Sequence, residues 1–326
     1  MINSIQVLRG LAILLVIFYH VTAMTPMLKA EYYFEIGRIG VDIFFIISGY
    51  IMSLILERHE PARKFMLKRI IRIMPLFLIV TFLAVIANYL PRLINNDAFV
   101  IESLVKSVFL IPHFSIANPE KVFPIFIPGW TITYEMWFYV SIGLILLFTR
   151  SVNHLLIVFL LLVVFTISCL VPSASAINQF LSNSVYLCFA LGIVFRLFEK
   201  KKIDLGKTIL IIGIVFSIAL FLEGSDSRLI TLGFPSFIIF VVGFYLIGER
   251  FSVIAFVGKI SFSLYLTHVF TINVVEKFFA KLFGHLPYYN EVLIFSAVSL
   301  SLLIAYFTYE LFESRLDFYL RKRFIK

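Results

Sequence analysis

The protein is a chain of 326 residues, of which 61% are hydrophobic and only 14% are charged, and its mean hydropathy is +1.01. A soluble domain is about half apolar and carries about 25% charged residues, so the composition excludes an ordinary water-soluble fold and indicates an integral membrane protein. The net charge of +9 has the sign that nucleic acid attracts, but the basic residues lie between apolar blocks and therefore indicate membrane topology, with no nucleic-acid partner.

The apolar residues fall into ten blocks, each close to the length of about 17–25 residues that crosses a hydrocarbon core roughly 30 Å thick. In chain order the candidate spans are 5–24, 38–56, 70–90, 128–148, 153–172, 177–198, 205–222, 229–248, 254–275 and 291–312. They predict an all-α fold, a polytopic membrane helix bundle of about ten transmembrane helices, in one domain over 1–326. Cys169 and Cys188 lie inside apolar blocks without zinc or disulfide spacing, so we predict packing roles and no metal site.

Lys and Arg are distributed unevenly between alternate connections. One side of the membrane takes 19 of the 28 basic residues and the other takes 8, while Arg9 lies within the first span. Because cytoplasmic connections are enriched in Lys and Arg, the richer side is predicted to be cytoplasmic, with both termini there. The outer connection 91–127 contains an apolar stretch, AFVIESLVKSVFLIP, interrupted by Glu102 and Lys106. Its length predicts an interfacial or re-entrant helix rather than a span.

Two ionisable residues lie in the first span, where charge is costly and each is therefore a functional candidate. Arg9 and His20 are 11 residues apart, which places them on one helix face, roughly 16 Å apart along the axis. Arg9 is predicted at the cytoplasmic end and His20 in the outer half. One stripe of this helix is thus predicted to connect the cytoplasmic surface to a buried histidine.

Three further ionisable residues lie inside other spans, with Asp42 and Glu135 predicted at about the depth of His20 and His268 in the outer half of its span. Asp42 lies in the second span, Glu135 in the fourth and His268 in the ninth. A carboxylate inside the bilayer is stabilised by an imidazole partner, and a carboxylate that orients an imidazole makes a general base. The pattern leaves open whether Asp42 or Glu135 orients His20. The same pattern is also compatible with purely structural roles for His20 and Asp42.

The third span begins with RIIR, in which Arg69 and Arg72 are three residues apart. On a helix this spacing lets two guanidinium groups hold one anion, and phosphate is the obvious candidate. The simpler interpretation is that both are topology signals at a cytoplasmic helix end.

Other polar residues have simpler interpretations. His113 and His285, in outer connections, are predicted to be solvated rather than catalytic. Glu310 and Glu313 are predicted to pair with Arg315 or the basic tail.

The motifs together resemble those of the membrane-bound acyltransferase family 3. The resemblance covers essentially the whole chain and is carried, in order, by RGLAILLVIFYH (Arg9 to His20), GVDIFFIISGY (Gly40 to Tyr50), KRIIRIMP (Lys68 to Pro75), FLIP (Phe109 to Pro112), GWTITYEMWFY (Gly129 to Tyr139), SFSLYLTH (Ser261 to His268) and Glu313. Phe262 stands where many relatives carry tyrosine, and ESRL replaces the usual Glu–basic–Pro ending. We expect a single-domain form without a fused hydrolase-like domain.

The resemblance implies an O-acyltransferase, in most cases an O-acetyltransferase, of the bacterial cytoplasmic (inner) membrane. It implies acetyl-CoA or another acyl-CoA as co-substrate and, as acceptor, a sugar hydroxyl of a cell-surface or lipid-linked glycan on the outer face. Arg69 and Arg72, with help from Arg9, are predicted to bind the coenzyme phosphates. His20 is predicted to be the general base or, alternatively, a transiently acylated nucleophile.

Four residues of these motifs are assigned to substrate binding: Trp130, Tyr139, Tyr265 and His268. For Trp130 and Tyr139, packing or an aromatic belt at the membrane interface is the simpler interpretation.

Two other classes of protein fit the same buried charges. One is a proton-coupled transporter or flippase, and the other is a non-catalytic membrane scaffold. A transporter needs no phosphate clamp on one side only, and the two halves show no matching pair of Gly/Pro-broken spans. A scaffold leaves the charges in the outer half unexplained. The sequence therefore favours the acyltransferase.

Overall fold

The computed structural model describes residues 3–25, 28–29, 33–149, 152–171, 174–201, 227–247, 251–283 and 288–325. Its helices are α1 Asn3–Met24, α2 Ile39–Leu56, α3 Ala62–Ile94, α4 Ala98–Val108, α5 Gly129–Phe148, α6 His154–Leu170, α7 Ala176–Leu181, α8 Val185–Lys201, α9 Phe234–Leu246, α10 Ser252–Lys259, α11 Ser261–Phe283, α12 Tyr289–Thr308 and α13 Ser314–Phe324. A 3₁₀ turn, Glu35–Arg38, precedes α2, and π-helical turns, Leu229–Gly233 and Tyr309–Glu313, precede α9 and α13. In this part of the chain the β-pairing is one isolated bridge, between Phe114 and Val122.

Within the described ranges, seven helical stretches are long and apolar enough to cross a membrane: Asn3–Met24, Glu35–Leu56, Ala62–Ile94, Gly129–Phe148, Ala176–Lys200, Leu229–Leu246 and Tyr289–Phe324. The bent pair of α10 and α11 makes up to eight. Helix α6 has 17 residues, and the predicted span 205–222 lies outside the described residues. The prediction of an all-α polytopic bundle is confirmed. The count of ten spans and the cytoplasmic placement of both termini stay predictions.

Large apolar side chains lie on the outer surface of the helices. Phe148 is 91% exposed, Leu246 78% and Phe295 74%. Such side chains are stable where lipid rather than water surrounds them. Helices are the secondary structure that satisfies every backbone polar group inside one segment, as a lipid environment requires. The chain is therefore a multi-pass membrane protein.

The described chain forms two compact units. The first combines Met1–Phe44 with Ile238–Leu316, and the second combines Phe45–Phe237 with Asp317–Lys326. The division falls inside helix α2. The prediction of one domain over 1–326 stays a prediction.

In the first unit, α1 packs mainly against α10 and also against α11 and α12. The backbones of α1 and α10 approach closely at two glycines. A Cβ atom added to Gly258 would lie 1.8 Å from the carbonyl oxygen of Gln6, and one added to Gly10 would lie 2.2 Å from the carbonyl oxygen of Ile254. Small residues permit such close helix packing in membranes.

The predicted ninth span, 254–275, is interrupted in the structure. Helix α10 ends at Lys259, α11 begins at Ser261, and the two helix axes meet at 74°. Whether 254–275 crosses the membrane as one bent span stays a prediction. Helix α10 follows the glycine contact with α1, while α11 takes a different direction.

In the second unit, α3 packs against α5 and α6 packs against α8. Helices α2 and α8 meet through reciprocal glycines: a Cβ on Gly49 would lie 2.1 Å from the carbonyl oxygen of Phe189, and one on Gly192 would lie 2.0 Å from that of Ile46. The ring of Phe189 stacks on Phe138, with centroids 4.2 Å apart. Aromatic packing thus surrounds a close helix contact.

The connection 91–127 contains the short helix α4, whose 11 residues extend about 16 Å and cannot cross a bilayer core. Asp97 caps its start by accepting hydrogen bonds from the backbone N–H groups of Phe99, at 3.0 Å, and Val100, at 3.4 Å. After α4, the Trp137 indole donates to the carbonyl oxygen of Leu110 at 2.9 Å, which joins the FLIP stretch to α5. Whether α4 is interfacial or re-entrant stays a prediction.

Candidate active site

The histidines that the sequence places in the first and ninth spans lie side by side in the first unit. The ring centroids of His20 and His268 are 4.8 Å apart and their planes meet at 68°, so the edge of one ring meets the face of the other. His268 is fully buried, whereas His20 is only half-buried. His20 is therefore the more exposed ring of this pair.

The hydrogen bond of His20 defines its tautomer. Its Nδ1 lies 2.9 Å from the carbonyl oxygen of Val16, one turn earlier on α1. A carbonyl oxygen only accepts hydrogen bonds, so Nδ1 carries the ring hydrogen and Nε2 has a lone pair. A neutral imidazole with a free Nε2 is the form that acts as a general base.

Asp42 lies near the start of α2 and is fully buried in the first unit. In catalytic triads, a carboxylate orients the imidazole through Nδ1. At His20 that nitrogen is held by the Val16 carbonyl instead. The backbone of α1 therefore orients the ring at Nδ1, and a carboxylate role at His20 stays a prediction.

Arg9 is buried and bonded to a residue that the sequence analysis did not select. Its Nη2 donates to Ser261 Oγ at 2.9 Å, at the first residue of α11. Two residues further along the same motif, Ser263 Oγ donates to Glu313 Oε2 at 2.5 Å. The SFSLYLTH motif thus makes side-chain hydrogen bonds to Arg9 of α1 and to Glu313 of the π-helical turn before α13. The serines were quoted within the motif, but nothing in their spacing identifies these partners.

In the second unit, Glu135 lies in a hydrogen-bonded cluster. Its Oε1 accepts from Ser48 Oγ at 3.2 Å and from the hydroxyl of Tyr139, one turn further along α5. The Arg69 guanidinium lies over the Tyr139 ring, with Cζ 5.6 Å from the ring centroid, and 5.7 Å from that of Phe65. The structure thus connects three residues that the sequence analysis selected separately, Arg69, Tyr139 and Glu135.

Arg69 makes no ion pair among the described residues, although the Glu135 carboxylate of the same cluster interacts with its charge. Arg69 is buried, with 8% of its surface exposed, and its Nε has no hydrogen-bond partner among the described residues. Arg72, one turn further along α3, is half-buried and makes no hydrogen bond or ion pair within the same ranges. A buried charge that makes no ion pair is unfavourable. The pair is therefore suited to an anionic ligand.

The other two residues assigned to substrate binding have aromatic or cationic neighbours. The Arg228 guanidinium lies over the Trp130 ring, with Cζ 5.8 Å from the centroid. Tyr265 is buried, and its ring centroid is 5.7 Å from that of His268. Substrate contacts by Trp130 and Tyr265 stay predictions.

His113 is buried, and the prediction that it is solvated is wrong. Ser103 Oγ donates to its Nε2 at 2.8 Å, and its Nδ1 donates to the carbonyl oxygen of Ile111 at 2.8 Å. The chain folds back after α4 and covers the ring, which a sequence pattern does not reveal. His285 lies outside the described residues.

Burial of His113 has a consequence for the pH dependence of stability. Burial lowers the pKa of His113 below its ordinary value of 6.5, although the hydrogen bond to Ile111 acts in the opposite direction. As the pH falls, the unfolded chain takes up a proton on this ring before the folded chain does. The contribution of His113 to the free energy of unfolding is therefore fully present above about pH 6.5 and is lost below it. We expect the Tm of the detergent-solubilised protein to fall between about pH 7.5 and pH 5.5, and to fall by about 2 °C less in His113→Gln. An equal fall in both proteins would show that His113 does not contribute.

The described chain is a polytopic helix bundle with a histidine whose Nδ1 is held by a helix carbonyl and a buried guanidinium beside aromatic rings, and these features fit a membrane-embedded transferase. The family model described as an acyltransferase domain, acyltransferase family 3, matches residues 2–310, and the chain belongs to this family. The resemblance drawn from the motifs is thereby confirmed. The protein is an O-acyltransferase and uses an acyl donor as co-substrate. The match decides against the transporter and scaffold alternatives.

Curated relatives are similar to parts of the chain. The exopolysaccharide production protein ExoZ of Rhizobium meliloti (strain 1021) is 28% identical over 259 residues, which cover 76% of this chain and 81% of ExoZ. BcsY of Komagataeibacter xylinus, provisionally named a membrane-bound transacylase, is 29% identical over 162 residues, 47% of this chain and 39% of BcsY. No solved structure matches the chain.

Proposed function

We propose that the protein transfers an acetyl group from cytoplasmic acetyl-CoA to a sugar hydroxyl of a cell-surface or lipid-linked glycan. The proposed location is the bacterial cytoplasmic (inner) membrane, with the acceptor at its outer face. The similarity to a protein named for exopolysaccharide production supports a polysaccharide acceptor. The excess of Lys and Arg on one side supports a cytoplasmic donor.

The observation that carries the donor assignment is the buried guanidinium of Arg69. It lies over the rings of Tyr139 and Phe65, and its Nε has no hydrogen-bond partner among the described residues. It makes no ion pair there, although the Glu135 carboxylate interacts with its charge. Arginine binds phosphate through paired, charge-assisted hydrogen bonds. The phosphates of coenzyme A supply the ion pair that Arg69 lacks, and Arg72 adds a second guanidinium one turn away on α3.

In the proposed reaction His20 acts as the general base. Its Nε2 takes the proton of the sugar hydroxyl, and the hydroxyl oxygen bonds to the carbonyl carbon of the thioester. The carbon–sulfur bond then breaks, and the coenzyme thiolate takes the proton from Nε2. The Nδ1–H group keeps its hydrogen bond to the Val16 carbonyl throughout. That carbonyl dipole stabilises the positive charge that the ring carries during transfer.

Substitution of Arg69 tests the donor assignment. Because hydrogen bonds to charged groups contribute about 1.5–3 kcal/mol each, we expect Arg69→Ala to raise the KM for acetyl-CoA about 10- to 100-fold. The measurement is the initial rate of transfer of labelled acetyl from acetyl-CoA to glycan in membranes. Arg63→Ala is the matched control, since Arg63 is exposed on the same helix. A donor KM in Arg69→Ala equal to that of the control would remove the donor site from Arg69.

A further inference from the structure

One ring nitrogen of His268 is buried without a hydrogen-bond partner. The other, Nδ1, lies 2.7 Å from the carbonyl oxygen of Tyr265 and 3.2 Å from that of Leu264, both on the preceding turn of α11. Since these oxygens only accept, Nδ1 carries the hydrogen and Nε2 has a lone pair. No described group donates to that Nε2, although the residue is fully buried.

A buried acceptor without a donor costs about 1–3 kcal/mol. An apolar residue of similar size would fill the same volume without this cost. The group that lies against the ring is His20, with centroids 4.8 Å apart. A fixed lone pair beside a ring that gains a proton stabilises the charged form of that ring. A positive charge on His20 would interact favourably with that lone pair and offset part of the cost.

We propose that His268 is a positioning residue for acyl transfer, which holds the His20 ring and stabilises its imidazolium form through the unprotonated Nε2. This inference rests on the proposed function of His20 as the base. The predicted contact between His268 and substrate stays a prediction, and the positioning role is a different assignment for the same ring. A neutral imidazole held by helix carbonyls would then stabilise His20 as a carboxylate does in the Ser-His-Asp triads.

The proton balance of the reaction is unchanged by this role. One proton moves from the sugar hydroxyl to Nε2 of His20 and from there to the coenzyme thiolate. His268 keeps its own hydrogen on Nδ1, bonded to the carbonyl oxygens of Leu264 and Tyr265. It exchanges no proton and forms no covalent bond.

Two amide substitutions separate the two ring nitrogens of His268. Asparagine retains a donor near the position of Nδ1 and has no group at Nε2, whereas glutamine reaches the Nε2 position with an acceptor oxygen. We expect His268→Asn to lower kcat about 10- to 100-fold with both KM values within about twofold. We expect His268→Gln to retain kcat within about threefold. The control is Thr271→Val, since this buried hydroxyl on the same helix bonds only to the Thr267 carbonyl, at 3.2 Å; its kcat should not change.

Several results would overturn the proposal, with fold checked by size-exclusion elution and Tm. Full kcat in His268→Asn would exclude it. Equal losses in the Asn and Gln variants would show that an acceptor at Nε2 is not what matters. A raised glycan KM with normal kcat would indicate a substrate contact instead. If the Asn variant does not fold, the Gln variant decides, and a kcat more than about tenfold low in folded protein contradicts the proposal.

The same assay separates this inference from the function on which it rests. Full turnover in His20→Ala would remove the proposed base and the inference with it. An inactive His20→Ala protein together with a fully active His268→Asn protein would remove only the inference.

Discussion

Replacing His20 with alanine should lower kcat for acetyl transfer by about 10²- to 10⁴-fold, the usual contribution of a general base. The structure gives a physical reason for a loss of this size. The Val16 carbonyl holds the hydrogen on Nδ1, so the base at Nε2 is present before substrate binds. Alanine removes that nitrogen and leaves the acceptor hydroxyl without a group that can take its proton. The KM for acetyl-CoA should stay within about twofold, because the lost interaction belongs to the transition state.

The matched control for this substitution is His154→Ala. His154 begins α6, and its Nε2 is bonded to the carbonyl oxygen of Ser53 at 3.2 Å, so it is a structural histidine. We expect its kcat to remain within about twofold of the parent protein. Initial rates should be measured in membranes that contain equal amounts of folded protein. If the His20 variant kept the kcat of the His154 variant, His20 would not be the base.

The second large effect is expected from Gly258→Ala, which should prevent the first unit from folding or destabilise it by about 3 kcal/mol or more. A Cβ atom there would lie 1.8 Å from the carbonyl oxygen and 2.7 Å from the carbonyl carbon of Gln6. These are backbone atoms of α1, so no side-chain rotation relieves the clash. Helices α1 and α10 would have to separate, and α1 carries both Arg9 and His20. Loss of the packing should therefore abolish activity as well.

The yield of monodisperse protein in detergent and its Tm measure this effect. Val253→Ala is the control, since Val253 is on the same helix and is 76% exposed. We expect a normal yield from the control and little or no folded protein from Gly258→Ala. A normal Tm for Gly258→Ala would mean that the close contact between the two helices does not stabilise the protein.

Helix positions could be predicted from the sequence because membrane spans depend on length and hydropathy, which are local properties. The predicted span 5–24 corresponds to α1, and 128–148 corresponds to α5 within two residues at either end. The break at Ile260 was missed because residues 254–275 are apolar on both sides of it. What determines the break is the glycine contact with α1, and a contact between distant segments has no local signature.

The candidate site could be predicted in part. Glu135 and Tyr139 are four residues apart on one helix, a spacing that indicates their contact. The span positions also placed both His20 and His268 in the outer half of the membrane. The partners Ser261 and Ser48 could not be predicted, since each comes from another segment of the chain. The tautomer of His20 is decided by a hydrogen bond within its own helix, but hydropathy and charge do not reveal which nitrogen is bonded.

The most direct test of the account is transfer across a vesicle membrane. Purified protein is reconstituted in one orientation, with labelled acetyl-CoA supplied at the face that bears the termini and glycan supplied at the opposite face. The account predicts labelled ester on the glycan, in amounts at least about 100-fold above vesicles that contain His20→Ala. A glycan that stays unlabelled, while the parent protein is folded and binds acetyl-CoA, would contradict the central claim. That claim is that a membrane-embedded histidine acts as the base while an acyl group moves from a donor on one side to a hydroxyl on the other.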